Sequence, residues 1–239
     1  MIDLSVIIVA GGKGRRMGMD LPKQYIDISG QPVLAWTVQH LSEALKEVDS
    51  VEYILVVPKE DIDFVKQLMG QYCGNVEPLL IVAGGSERAD SVMNGLLIAS
   101  GRYVMVHDGV RPFVRSSLVK RMWEYREVGD VIPAIPPTDS VIVASKTLSS
   151  NGLYGGVPRE NVRLKQTPQL FDRQLLTKSY ELYRESPDLS CTDDSGIVEQ
   201  YMMMIPLVLD GDPDNIKLTT PKDLVIAEWL LRDWNTEEG

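Results

Sequence analysis

Leu4-Ser5-Val6-Ile7-Ile8-Val9-Ala10, stopped abruptly by Gly11-Gly12, is the stretch on which the fold turns. The run is short, β-branched and apolar almost without interruption. A strand with one wet face alternates polar and apolar residues. A strand covered on both faces does not, so this one predicts the buried strand of a parallel sheet. Working outward, the pattern repeats. A helix is predicted from about Pro32 to Lys46, a strand over Tyr53–Val57, a helix over Ile62–Tyr72 and a strand over Leu79–Ala83. Arg88–Ala99 reads as helix, Tyr103–His107 as strand, Ser116–Arg126 as helix and Val131–Ile135 as a further strand. Such alternation predicts right-handed crossovers and an α/β, doubly wound, mostly parallel sheet. Ligands of such sheets sit beyond the carboxyl ends of the strands.

From Pro136 to about Gln166 the alternation breaks. Ser140–Ala144, a turn-rich Ser149-Ser150-Asn151-Gly152 and Leu153–Val157 predict a projecting β-arm. Alone it buries little apolar surface, so it is expected to pack on a second subunit. A helix over Arg173–Arg184 and a strand over Ile205–Leu209 follow. A last helix starts at Thr220-Pro221, with Leu224, Ile226, Ala227, Leu230 and Leu231 on its apolar side. No repeat or linker interrupts residues 1–239, which predicts one domain with its arm at about 136–166.

The formal net charge of -10 argues against generic nucleic-acid binding, which needs a basic footprint. An anionic ligand still fits a locally basic site. Cys73 and Cys191 lie far apart without metal-ligand spacing, as expected of packing residues in a reducing cytoplasm. No stretch approaches the roughly 20 apolar residues of a membrane span. Met1-Ile2-Asp3-Leu4 lacks the basic region of a signal peptide.

The segments after the strands carry the chemistry. Gly11-Gly12-Lys13-Gly14-Arg15-Arg16-Met17-Gly18 follows the first strand, with Leu21-Pro22-Lys23-Gln24 just beyond. Glycines let successive N–H groups face a phosphate chain, and the lysines and arginines supply the countercharge. It is neither a Walker loop nor a dinucleotide fingerprint, since Met17 occupies the third glycine position. Ala83-Gly84-Gly85-Ser86-Glu87-Arg88-Ala89-Asp90-Ser91 offers close approach to a flat base and a hydroxyl at Ser91. It also suits a turn and cap with Arg88 and Asp90 paired on the surface. His107-Asp108-Gly109-Val110-Arg111-Pro112 places a carboxylate where Mg²⁺ could be held with phosphates and water. Arg111 could bind phosphate or clamp Asp108, and His107 reads as a structural hydrogen-bonding residue. Arg159, Thr167-Pro168-Gln169, Thr192-Asp193-Asp194 and Asp214-Asn215-Ile216-Lys217 read individually as loops, caps and surface charge.

Taken in order, Pro22-Lys23-Gln24-Tyr25, Glu87-Arg88-Ala89-Asp90-Ser91-Val92, His107-Asp108 with Arg111-Pro112, and Thr167-Pro168-Gln169 resemble the 2-C-methyl-D-erythritol 4-phosphate cytidylyltransferases. The likeness runs nearly end to end, to Asn215-Ile216-Lys217-Leu218-Thr219 and the last helix. It implies a Rossmann-like nucleotidyltransferase fold and a homodimer joined through the arm. It further implies catalytic basic groups at Arg16 and Lys23, and nucleotide binding at Ala10, Gly11, Gly12, Gly14, Gly85 and Ser91. Asp108 falls on the metal-associated carboxylate, with Mg²⁺ as cofactor. Arg159, Thr167, Thr192, Lys217 and Ser140 fall around the polyol phosphate, Arg159 coming from the partner's arm. There are departures. Gly109-Val110 stands for a pair often written Ala-Ala, Ser140 for a familiar threonine, and Ser86 for an acidic residue in some members.

The implied substrates are CTP and a polyol phosphate. A phosphate monoester is already an oxyanion near neutral pH, its second pKa being around 6. It can attack the α-phosphorus of CTP in line without a strong base, which suits a chain with no His–carboxylate dyad. Ribitol 5-phosphate as acceptor is the nearest rival. More distant are sugar-1-phosphate nucleotidylyltransferases and a binding protein without turnover, which intact Arg16, Lys23 and Asp108 argue against.

Overall fold

Alternate residues of the first strand serve opposite faces of the sheet, as the period of two requires. In β1 (Leu4–Val9), Leu4, Val6 and Ile8 enter one apolar layer and Ile7 the other. The computed structural model describes residues 2–12, 21–144, 154–188 and 190–237. After β1 come a small hairpin, β2 (Asp27–Ile28) and β3 (Gln31–Pro32), then α1 (Val33–Ala44), β4 (Val51–Val57), α2 (Ile62–Tyr72) and β5 (Leu79–Ala83). Next are α3 (Arg88–Leu96), β6 (Tyr103–Asp108), α4 (Ser116–Glu124) and β7 (Val131–Ile135). The arm region supplies β8 (Val141–Ala144) and β9 (Tyr154–Val157), and its return supplies β10 (Leu164–Lys165). The chain ends with β11 (Gln169–Asp172), α5 (Arg173–Glu185), α6 (Asp194–Met202), β12 (Leu207–Asp210) and α7 (Pro221–Glu237).

The main sheet runs β10-β7-β11-β6-β1-β4-β5, with β12 on β7. β1 pairs in parallel with both β4 and β6, and β5 extends the parallel run. One layer packs α1, α2 and α4 on the sheet, the other α3, α5 and α6. This is the doubly wound, mostly parallel sheet that the alternation predicts.

Three details depart from the sequence reading. β11 lies antiparallel between β6 and β7, so Val131–Ile135 is not the next parallel neighbour of β6. Its four residues, Gln169 to Asp172, are polar at both ends and carry little strand signal. The strand expected over Ile205–Leu209 is Leu207–Asp210. On α7 the buried side is Ala227, Leu230, Leu231 and Trp234, packed against Val33, Phe113 and Leu218, while Ile226 is exposed. The spacing 227, 230, 231, 234 holds a single helical face, and position 226 falls off it. Finally, β8 and β9 do pair antiparallel, as the arm reading requires, whereas its turn at 149–152 lies outside the described residues.

Candidate active site

The chain lays β4 and β5 to one side of β1, then α3 carries it back to β6 on the other side. Strand order reverses between β1 and β6, and a crevice opens there beyond the carboxyl ends of the strands. Register puts Val9 opposite Asp108, and Gly109 donates its N–H to the Val9 carbonyl at 2.9 Å. A Cβ at Gly109 would lie 2.9 Å from that of Ala10, so the tight junction at the floor uses a glycine.

The crevice is a cavity of about 940 Å³, within the range of ligand pockets. Ala10, Gly11 and Gly12 line it after β1, Lys23 on the turn before β2, and Gly85 and Ser91 after β5. Asp108 and Lys217 close the β6 side. Eight of the residues picked from sequence therefore meet in one cleft. A Cβ at Gly85 would fall 2.1 Å from that of Asp90, and one at Gly84 2.9 Å from Ser91 Oγ. Only glycine permits this turn. Ser91 Oγ accepts from the Gly85 N–H and donates to the Glu87 carbonyl, both at 3.1 Å.

Charge concentrates at Asp108. Lys217 Nζ stands 2.7 Å from its Oδ2, Arg111 Nε 3.6 Å from the same oxygen, and Arg88 Nε 3.4 Å from Oδ1. Burial alone would favour the protonated acid. The charges of Arg88, Lys217 and Arg111 outweigh it and hold the carboxyl well below the usual range. Arg111 is thus a clamp on Asp108, and its Nη1 also donates to the Asn215 carbonyl at 2.7 Å. Lys23 Nζ donates to the Leu218 carbonyl at 3.1 Å, so the segment bearing Lys217 also receives the second lysine.

The other candidates lie elsewhere. Arg16 and Gly14 fall outside the described residues. Thr167 is buried below the cleft floor, where its Oγ1 accepts from the Asp108 N–H at 3.1 Å. Thr192 is exposed on the far side of Arg88, beside a smaller cavity of about 180 Å³. Asp193 next to it caps α6, accepting from the Gly196 N–H at 2.9 Å. Ser140 is exposed just before β8, and Arg159 donates to the Thr138 carbonyl at 3.0 Å. Neither lines the cleft of its own chain.

With the cleft, its glycine turns and its basic floor in place, sequence comparison decides the lineage. The 2-C-methyl-D-erythritol 4-phosphate cytidylyltransferase family profile matches residues 4–233. The chain belongs to that family. The 2-C-methyl-D-erythritol 4-phosphate cytidylyltransferase of Bacteroides thetaiotaomicron is 43% identical over 229 residues, covering 95% of this chain and 99% of the relative. That of Geotalea uraniireducens is 36% identical over 239 residues, covering 98% and 99%. Among solved structures, the Anaerococcus prevotii 4-diphosphocytidyl-2C-methyl-D-erythritol synthase superposes with a TM-score of 0.78 at 30% identity, covering 97% of this chain and 96% of the other. The cytidylyltransferase of Thermus thermophilus gives 0.72 at 30% identity, covering 97% and 100%. This cytidylyltransferase-family chain is therefore a nucleotidyltransferase by fold and by sequence.

One component of the floor escapes the sequence. Arg88 turns inward and pairs with Asp194 rather than with Asp90 on the surface. Asp90 instead completes a capping box with Glu87 and accepts from the Ser86 hydroxyl at 2.7 Å. Residues two apart on a helix do not face each other, which is the physical reason the Arg88–Asp90 pair fails. No local signal pairs Asp194 with Arg88, 106 residues away.

Proposed function

We propose that this chain transfers the cytidylyl group of CTP to 2-C-methyl-D-erythritol 4-phosphate, giving 4-diphosphocytidyl-2-C-methyl-D-erythritol and pyrophosphate. The observation that carries the reading is the family match over residues 4–233, converging on a cleft whose floor groups Asp108 with Lys217, Arg88 and Arg111. A phosphate oxygen of the acceptor bonds to the α-phosphorus. The bond from that phosphorus to the bridging oxygen breaks, and pyrophosphate leaves with the electron pair. The protein contributes positioning and preorganised charge.

The Gly11-Gly12 turn and Lys23 receive the triphosphate, Gly85 and Ser91 the nucleoside, and Lys217 the acceptor's phosphate. Arg16 joins Lys23 in countering charge on the α-phosphate and on pyrophosphate. Thr167 acts from beneath, through Asp108. Arg159, Ser140 and Thr192 belong to the polyol end, Arg159 and Ser140 reaching it from a second copy of the chain through the arm. In this reading the chain works as a homodimer in the cytoplasm, with both cysteines reduced.

Among the described residues, no group of three or more His, Cys, Asp and Glu forms a metal cage. Magnesium needs no such cage, because it takes one or two carboxylates and completes its shell with phosphates and water. Asp108 on the cleft floor, kept ionised by its neighbours, fits that donor set and would hold the ion. When bound, the ion neutralises phosphate charge. Pyrophosphate release with CTP and Mg²⁺ tests the whole reading, comparing methylerythritol 4-phosphate with ribitol 5-phosphate. A strong preference for the first is expected. Release with neither acceptor would overturn it.

A further inference from the structure

We propose that Gln166 is a positioning residue for the acceptor end of the cleft, fixing through its side-chain amide the segment that carries Lys217. The proposal rests on the transfer reaction described above. Gln166 is 4% exposed and does not line the cleft. Its Oε1 accepts from the Asp212 N–H at 3.1 Å, and its Nε2 donates to the Asp212 carbonyl at 2.7 Å. The same Nε2 reaches the Asn215 carbonyl at 3.3 Å. The amide thus reads the backbone of Asp212 as a neighbouring strand would. Its approach depends on Gly211, where a Cβ would lie 2.4 Å from Gln166 Oε1.

The segment is then fastened on both sides of Lys217. Asn215 Nδ2 donates to the Thr167 carbonyl at 2.8 Å, and the Leu218 N–H donates to the Val110 carbonyl at 2.9 Å. Lys217 leaves the chain between these anchors, with Nζ 2.7 Å from Asp108 Oδ2. Asp108 is itself held by Thr167, the residue next to Gln166. Two consecutive residues therefore hold the two partners of one ion pair, which limits where the lysine ammonium can meet an incoming phosphate. A displacement of about 1 Å in such a group can cost on the order of 10²-fold in rate.

The test uses the full chain, with steady-state kinetics for CTP and for methylerythritol 4-phosphate. Gln166→Met keeps the length and removes the amide. Gly211→Ala leaves Gln166 intact and pushes the amide away, so it serves where the first variant folds poorly. Each is expected to raise the acceptor KM about tenfold while the CTP KM stays within about twofold. The double variant should be no worse than the poorer single one, because both break the same contact. A role confined to stability would lower Tm without splitting the two KM values. Folded variants with an unchanged acceptor KM, or with both KM values raised together, overturn the proposal while the functional reading stands. A wild-type chain inactive with this acceptor overturns the functional reading and the proposal with it.

Discussion

Arg88 and Asp194, 106 residues apart in the chain, meet through two hydrogen bonds of 3.0 and 2.7 Å. Asp194 is fully buried and also accepts from the Tyr180 hydroxyl at 2.5 Å. The planar guanidinium can satisfy Asp194 with one edge and face Asp108 with Nε, which an ammonium could not do. Burial disfavours the charged arginine, but the Asp194 and Asp108 charges more than restore it and raise its proton affinity well above the usual. Asp194→Asn would remove the larger part of that compensation. Removing one partner of a buried pair costs about 3–5 kcal/mol, and the low end applies because the Arg88 side chain keeps 29% exposure. Urea unfolding at pH 7 should show the loss. A change below about 1 kcal/mol would contradict the pair's role.

The parts of this arrangement that sequence reveals are those with short-range signals. β1, β4 and β6 stand out because burial on both faces makes them continuously apolar, and the glycine turns after β1 and β5 are read directly. Lys23 and Asp108 come forward because each sits beside a recognisable motif, whereas Lys217 reads as surface charge on its own and comes forward only with the family resemblance. What stays hidden is set by contacts between distant segments. Asp194 looks like the second residue of a helix cap, and only folding brings it against Arg88. Gln166 looks like the end of the arm, and its role depends on Gly211, 45 positions later by residue number. β11 is short and polar-ended, so its antiparallel place between β6 and β7 has no local signature.

Thr167 closes a hydrogen-bond chain whose direction follows from chemistry alone. The Arg111 carbonyl can only accept, so His107 Nε2, at 2.9 Å from it, carries the proton. His107 Nδ1 then accepts from the Thr167 hydroxyl at 3.1 Å, leaving Thr167 Oγ1 free to accept from the Asp108 N–H. Thr167→Val keeps the shape and breaks both links. Orphaning a buried donor costs about 1–3 kcal/mol, and Asp108 loses its support from below. Stability should fall by that amount and kcat/KM by at least about tenfold. Unchanged kcat/KM in a folded variant would remove Thr167 from the machinery.

Lys23 lines the cleft, restrained by the Leu218 carbonyl, and is the cation proposed to meet the triphosphate. Lys23→Ala should lower turnover by on the order of 10²–10³, the usual cost of one preorganised charge, with little change in Tm. Pyrophosphate release at saturating CTP measures it. Near-normal turnover would move the charge stabilisation elsewhere.

The pH dependence of stability pits two buried groups against each other. Burial pushes the Asp130 carboxyl up to about 6, with the nearby Asp172 charge adding to it and the Asp172 N–H opposing it. Above its ordinary value near 4 the folded state holds more protons than the unfolded one, so this contribution is complete below about pH 4 and lost as pH rises through about 6. Burial pushes the His107 imidazole down to about 4. Here the unfolded state binds more protons below about pH 6.5, so this contribution is complete above that pH and lost as pH falls toward about 4. Between about pH 4 and 6 the two slopes have opposite signs and similar size, about 1.4 kcal/mol per pH unit each. Asp130→Asn removes one of them and keeps an acceptor for the Asp172 N–H. Its stability relative to the wild type should therefore climb by roughly 2–3 kcal/mol from pH 4 to 6.5, read from denaturant midpoints across the range. Parallel curves for the two proteins would show that Asp130 titrates at an ordinary carboxylate pKa.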